Sequence, residues 1–170
     1  GLRGMARINF TDGNHQEARK LIDRAVELQP DDVQTLMLQG EFEFSQKNYA
    51  KSLEAFKRAR ERVKDSAQVA SRIIASQLGL GETEAAREAL VAALKRFPNF
   101  PPLNYLRAVD AHTSGNNVEA LSAVRDVLKI QANHWQALLL GGSILFTEGE
   151  NLQAESLLSR AYNARPSSLQ

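Results

Sequence analysis

VQTLMLQGEFEFSQKNYAKSLEAFKRARERVK, residues 33–64, is the stretch whose reading decides the fold. Leu36, Met37, Leu38, Phe42 and Phe44 precede a turn at Lys47-Asn48, and Tyr49, Leu53, Phe56, Ala59 and Val63 follow it. Spacings of three and four give each side of the turn one apolar helical face. The same design recurs every 34 residues, with repeat starts at Val33, Ala67, Pro101 and Trp135 and an incomplete unit ahead of them. A helical hairpin of this size cannot bury its apolar face alone, whereas stacked neighbours can, so a fixed period of this length predicts a solenoid.

Outward from that stretch the units read 1–32, 33–66, 67–100, 101–134 and 135–168. In register, the fifteenth position holds Gly13, Lys47, Gly81, Gly115 and Gly149. The twentieth holds Ala18, Ser52, Ala86, Ala120 and Ala154, and the twenty-seventh Ala25, Ala59, Ala93, Val127 and Ala161. The eighth is less regular: Ala6, Gly40, Ile74, Ala108 and Gly142. Pro30, Lys64, Pro98, Ala132 and Pro166 stand near the unit ends. Small side chains at a crossing let two helices approach closely. A Gly in the turn takes the left-handed backbone that ends the first helix, and proline stops the second. Asp31 and Asp32 are placed to cap the helix that follows. The third unit is expected to turn at Gly79-Leu80-Gly81, and Asn104, odd on a packed face, to be hydrogen-bonded or partly exposed. No alternation of period two persists, so no strands are predicted, and the short connections make each helix pair antiparallel.

Composition narrows the function classes. The 170 residues carry 21 Lys plus Arg against 20 Asp plus Glu, a balance that implies neither a nucleic-acid binder nor an acidic tail. With no cysteine, disulfides, thiolate zinc sites and a Cys nucleophile are excluded. No apolar run approaches the roughly 20 residues that span a bilayer, so direct membrane insertion is not expected. His15, His112 and His134 lie in different units without ligand spacing, and no metal or other cofactor is expected. Gly79-Leu80-Gly81 lacks the Lys and Ser/Thr of a phosphate loop. Ser122, Ser143 and Ser156 fall inside predicted helices without a nucleophile elbow. The chain offers no catalytic constellation and is read as non-enzymatic. The basic run Lys57–Lys64 reads as a solvated outer face with Glu54–Arg58 and Lys57–Glu61 pairs.

The period and the small positions in register resemble the tetratricopeptide repeat over essentially the whole chain. That resemblance implies an all-α, right-handed α-solenoid of about five helix-turn-helix units, forming one array that is expected to be a piece of a longer one. The typical tryptophan at the fourth position is missing; Leu36, Ala70, Asn104 and Leu138 stand there. The resemblance also implies that first helices line a concave groove for a protein or peptide partner. Carried over, the lining is Arg3 and Arg7, then Met37 and Glu41, then Arg72, then Tyr105, Val109 and His112, then Leu139, Leu140 and Ser143. Its N-terminal end is basic and its C-terminal half apolar. Arg3, Arg7 and Arg72 resemble part of the carboxylate clamp of chaperone-binding members, but Leu38 and Arg7 stand where that clamp wants asparagines, so a chaperone-tail receptor is not expected. The texture of ALLLGGSILFTEGENLQAESLLSRA and RFPNFPPLNYLRA is similar to the repeat lipoproteins of bacterial PEP-CTERM protein-sorting and exopolysaccharide systems. That likeness implies a lipid-anchored parent chain in the bacterial envelope, in the periplasm rather than the cytoplasm. An alternative role is a structural spacer or self-assembly module that stacks end to end through apolar array ends.

Overall fold

The computed structural model describes residues 1–165. Among them are ten α-helices and no strand: α1 Leu2–Thr11, α2 His15–Leu28, α3 Val33–Ser45, α4 Tyr49–Arg62, α5 Ala67–Leu80, α6 Thr83–Arg96, α7 Pro101–Thr113, α8 Asn117–Ile130, α9 Trp135–Thr147 and α10 Asn151–Ala164. The helices α3, α5, α7 and α9 begin at the four residues that the sequence period marks as repeat starts. Pro166 and the tail 167–170 lie outside the described residues.

The chain divides into two compact units, Gly1–Ala89 and the residues from Leu90 onward, with the division inside α6. In the first unit α1 packs on α2, α3 on α4 and α4 on α5, while α1 and α2 both reach α3. In the second, α7 packs on α8, α8 on α9 and α9 on α10, and α7 touches α9. Each unit thus sets its first helices side by side.

The small positions do what their size allows. Ala18, Ser52, Ala86, Ala120 and Ala154 are all buried, as are Ala6, Gly40, Ile74, Ala108 and Gly142. A Cβ on Gly40 would stand 2.4 Å from the Phe56 ring, and one on Gly142 2.7 Å from Leu158, so hydrogen alone fits at these crossings. Phe56 is fully buried there, a burial that stabilises by about 1.5–3 kcal/mol. Where serine replaces alanine, its hydroxyl is satisfied: Ser52 Oγ donates to the Gly40 carbonyl at 2.9 Å and lies 3.0 Å from Ser76 Oγ.

All five turns place the fifteenth position in the left-handed region, at φ 78° for Gly13, 79° for Gly81 and Gly115, and 83° for Gly149. Lys47 takes the same conformation, at φ 60°, without glycine's freedom. Gly79 corrects the expected turn. It sits within α5, and a Cβ there would lie 2.5 Å from the Tyr49 ring, so it serves packing, and Gly81 alone takes the left-handed backbone.

Caps fix the helix starts. Asp32 accepts from Thr35 N at 2.8 Å and His134 Nδ1 accepts from Ala137 N at 3.2 Å. Asn104 is buried and hydrogen-bonded, donating to the Pro98 carbonyl at 2.8 Å. The basic run behaves differently from the expectation. Among the described residues neither Glu54–Arg58 nor Lys57–Glu61 forms; Arg58 donates to the Pro30 carbonyl and Arg62 pairs with Asp31. Both contacts reach across a repeat junction, and the Arg62–Asp31 pair, exposed on both sides, is worth at most about 1 kcal/mol.

Candidate functional site

The first helices of each unit carry the residues that the sequence assigns to a groove. In the first unit these lie on α1, α3 and α5. Arg3 pairs with Asp32, and Arg72 donates to Glu41 Oε1 at 3.2 Å. Two of the three cations on this face are therefore compensated within the chain, and Arg7 is exposed with no ion pair among the described residues. Met37 belongs to the core, not to the surface. It is 6% exposed, in a cluster with Leu36, Leu53, Phe56, Ala59, Val69 and Ile73. Leu38 is likewise buried, against Ala6, Ala18, Ile22 and Phe42. The reason is that α3 meets α1, α2 and α4, and a helix packed on several sides is apolar nearly all round.

The second unit presents a different face, on α7 and α9. Tyr105, Val109 and His112 share one face of α7, at spacings of four and three. Leu139, Leu140 and Ser143 do so on α9, with Phe146 one turn on. Tyr105 and Leu140 pack on a cluster of Ala108, Ala123, Val124, Val127 and Ala137 and are half-buried, as is Val109. Leu139 is 45% exposed and Phe146 64%. Ser143 and His112 are exposed, and His112 Nδ1 lies 3.0 Å from Asn117 Oδ1. No residue of α9 is charged, so its part of this face lacks the ionic groups that keep most exposed helices in water.

The sequence assigns no structural part to His134. It caps α9 and places its ring 5.2 Å from that of Tyr105, tilted by 36°. Burial pushes the imidazole below its ordinary pKa and pushes the Tyr105 phenol up. Glu43 is equally silent in the sequence. It is buried, with Arg19 donating at 2.8 and 3.2 Å and Asn48 Nδ2 at 2.8 Å. Burial alone would raise this carboxyl, but the bonds from Arg19 and Asn48 and the charges of Arg19 and Lys51 hold it below the ordinary value. Arg19 also lies 4.8 Å above the Phe42 ring. Locally it is one of two glutamates, Glu41 and Glu43, amid the apolar residues of α3, and nothing in the sequence separates the buried one from the other.

Among the described residues no three His, Asp or Glu side chains converge as a metal site would require. No described helix is long and apolar enough to cross a membrane.

The family model of the tetratricopeptide repeat matches residues 4–67 and 75–134. The chain belongs to the tetratricopeptide repeat family. Solved structures agree on the fold. The tetratricopeptide protein TTC0263 of Thermus thermophilus superposes with a TM-score of 0.84 at 17% identity, covering 99% of this chain and 92% of that one. MamA matches with a TM-score of 0.63 at 19% identity, over 94% of this chain and 93% of its own. YrrB, described as a tetratricopeptide protein with an unusual peptide-binding site, matches with a TM-score of 0.59 at 17% identity, over 99% and 87%. At such identities the likeness is one of fold, and it fixes the class as the all-α solenoid of tetratricopeptide arrays. No curated protein matches the sequence.

Proposed function

We propose that this tetratricopeptide scaffold is non-catalytic and holds a peptide of a protein partner on its first helices, chiefly on the α7–α9 face. One observation carries the reading: an uncharged helix exposes Leu139 and Phe146 beside the half-buried Tyr105, Val109 and Leu140. Leaving such a surface in water forgoes about 25 cal/mol for each Å² that a partner could bury. Half-buried aromatic and aliphatic anchors are what an extended peptide or amphipathic helix uses. The peptide site named for YrrB supports a peptide as the ligand class. On the first helices of the first unit, Arg7 is the uncompensated cation that would attract an acidic ligand, since Arg3 and Arg72 are paired within the chain. The likeness to exopolysaccharide-associated repeat lipoproteins supports a setting in the envelope of a polysaccharide-exporting bacterium, with the partner a component of that machinery.

The test is affinity capture from extract of the source cells with the wild-type chain and with Tyr105→Ser/Leu139→Asp, whose helicity is checked by circular dichroism. A partner retained by the wild type and lost by the still-helical variant is expected. Capture that the variant leaves unchanged would overturn the reading. A second reading, a self-assembly module, draws on Leu152 at 85% and Tyr162 at 70% exposure on α10. It requires a mass that rises with concentration and that Tyr162→Glu returns to that of a monomer.

A further inference from the structure

The second unit holds a crevice that the groove reading does not use, and its chemistry emerges from the repeat register. Between α8 and α10, over α9, lies an open cleft of 680 Å³. Leu121, Leu128, Leu145, Leu152 and Leu157 line it from three helices. Two arginines complete it. Arg125 gives its Nε to the Leu121 carbonyl at 3.2 Å, and Arg160 donates through one terminal nitrogen to the Ala132 carbonyl at 2.8 Å. Among the described residues neither forms an ion pair with a carboxylate, so both positive charges stand uncompensated at the rim of the cleft.

Three periods earlier the corresponding positions hold another set. Arg19 stands where Leu121 does, Glu43 where Leu145 does, Asp23 where Arg125 does, and Ala50 and Ala55 where Leu152 and Leu157 do. There Arg19 and Glu43 satisfy each other across the α2–α3 contact. Arg58 is the counterpart of Arg160 and makes the same bond to the preceding unit, to the Pro30 carbonyl. The junction arginine is thus kept, while the internal ion pair is replaced by leucines, Asp23 by a second arginine and Glu54 by the neutral Ser156. The first unit's set neutralises itself; the second unit's set is apolar with two uncompensated positive charges.

We propose that this α8–α10 cleft docks a short amphipathic helix of a protein partner that carries both leucine-sized side chains and carboxylates. The lining on α10 from Leu152 to Arg160 spans roughly 12 Å, enough for about two turns of a bound helix. Apolar anchors at spacings of three and four enter between the leucines. Carboxylates on the flank of the ligand accept from Arg125 and Arg160 in planar, charge-assisted bonds. Apart from Leu145 of α9 the lining lies on second helices, and it shares none of the residues assigned to the α7–α9 face.

The probe is a synthetic helical peptide of leucine and glutamate, titrated into the isotope-labelled 170-residue chain and followed by amide shifts. Shifts confined to α8, α10 and the end of α9 are expected, with a lysine-for-glutamate peptide about tenfold weaker. Arg125→Glu should reverse that preference. Leu121→Arg/Leu145→Glu, which rebuilds the first unit's ion pair, should reduce binding about tenfold with helicity kept. The proposal is overturned if the two peptides bind alike, if Arg125→Glu changes nothing, or if the shifts fall on α7 and α9 instead. It is also overturned if laurate shifts these residues and the peptide does not, or if they prove to be covered by a second copy of the chain.

Discussion

In the first unit Arg19 of α2 and Glu43 of α3 are joined by two hydrogen bonds; in the second the residues three periods on are Leu121 and Leu145, and they line an open cleft. The crossings beneath are alike. Gly40 meets Phe56 in one and Gly142 meets Leu158 in the other. The helix starts are also alike, with Asp32 capping α3 and His134 capping α9. The repeat therefore holds fixed what helix approach demands and leaves the second-helix surface free to change its chemistry. Function in such a fold is to be sought where equivalent positions diverge.

The largest effect that sharpens this comparison belongs to the crossings. Phe56→Ala removes a fully buried ring and should cost about 3–5 kcal/mol by urea denaturation. Leu158→Ala, at the equivalent but half-buried site, should cost about 2 kcal/mol. Equal costs would contradict the difference in burial between Phe56 and Leu158.

Next comes the ion pair. Arg19→Leu strands the buried Glu43 carboxylate with Asn48 alone and should destabilise by about 2 kcal/mol, less than for a fully buried pair because the Arg19 side chain is 38% exposed. The double variant Arg19→Leu/Glu43→Leu copies the second unit and should recover most of that loss, since replacing both partners with apolar side chains leaves no charge unpaired. A double variant as unstable as the single one would contradict the equivalence of the two sets of positions.

The caps differ in their response to acid. Protonation at Nδ1 deprives His134 of its acceptor, and burial holds its folded pKa below the unfolded value. The unfolded state thus takes the proton first, so this contribution is full above about pH 6.5 and is lost as pH falls through the lowered folded value. The loss should be about 1 kcal/mol, one cap. The Asp32 carboxyl is held below its ordinary pKa, chiefly by the bond from the Thr35 hydroxyl, so its cap persists until pH falls below the usual carboxylate range. Amide exchange at Ala137, corrected for intrinsic rate, should therefore accelerate as pH falls below the ordinary imidazole range, before that at Thr35 does.

The smallest effect is at the turns. Lys47→Gly should stabilise by about 0.5 kcal/mol, the strain relieved at φ 60° slightly exceeding the extra freedom of the unfolded chain. Gly149→Lys, the reverse change at φ 83°, should cost about 1 kcal/mol.

What is legible in the sequence follows the same division. Helix number, repeat starts and the small and turn positions are readable because backbone sterics and helix approach recur at each period. Asn104 stands out for a similar reason: a buried amide must find a partner, and it finds the Pro98 carbonyl. Met37 falls outside the groove because the family's groove positions are counted along one helix, while burial depends on how many helices surround it, and α3 has neighbours on three sides. Gly79 reads as a turn residue because nothing local distinguishes a glycine that bends the chain from one that makes room for Tyr49. The Arg19–Glu43 pair and the His134–Tyr105 contact join residues more than twenty positions apart, and only the packing brings them together.

The most direct measurement is hydrogen–deuterium exchange on the chain alone and on its complex with the captured partner. New protection in α7, Pro101–Thr113, and α9, Trp135–Thr147, with α3 unchanged, is the result expected if the α7–α9 face of the second unit holds the partner. Protection confined to α1, α3 and α5, or none in either set, would contradict it.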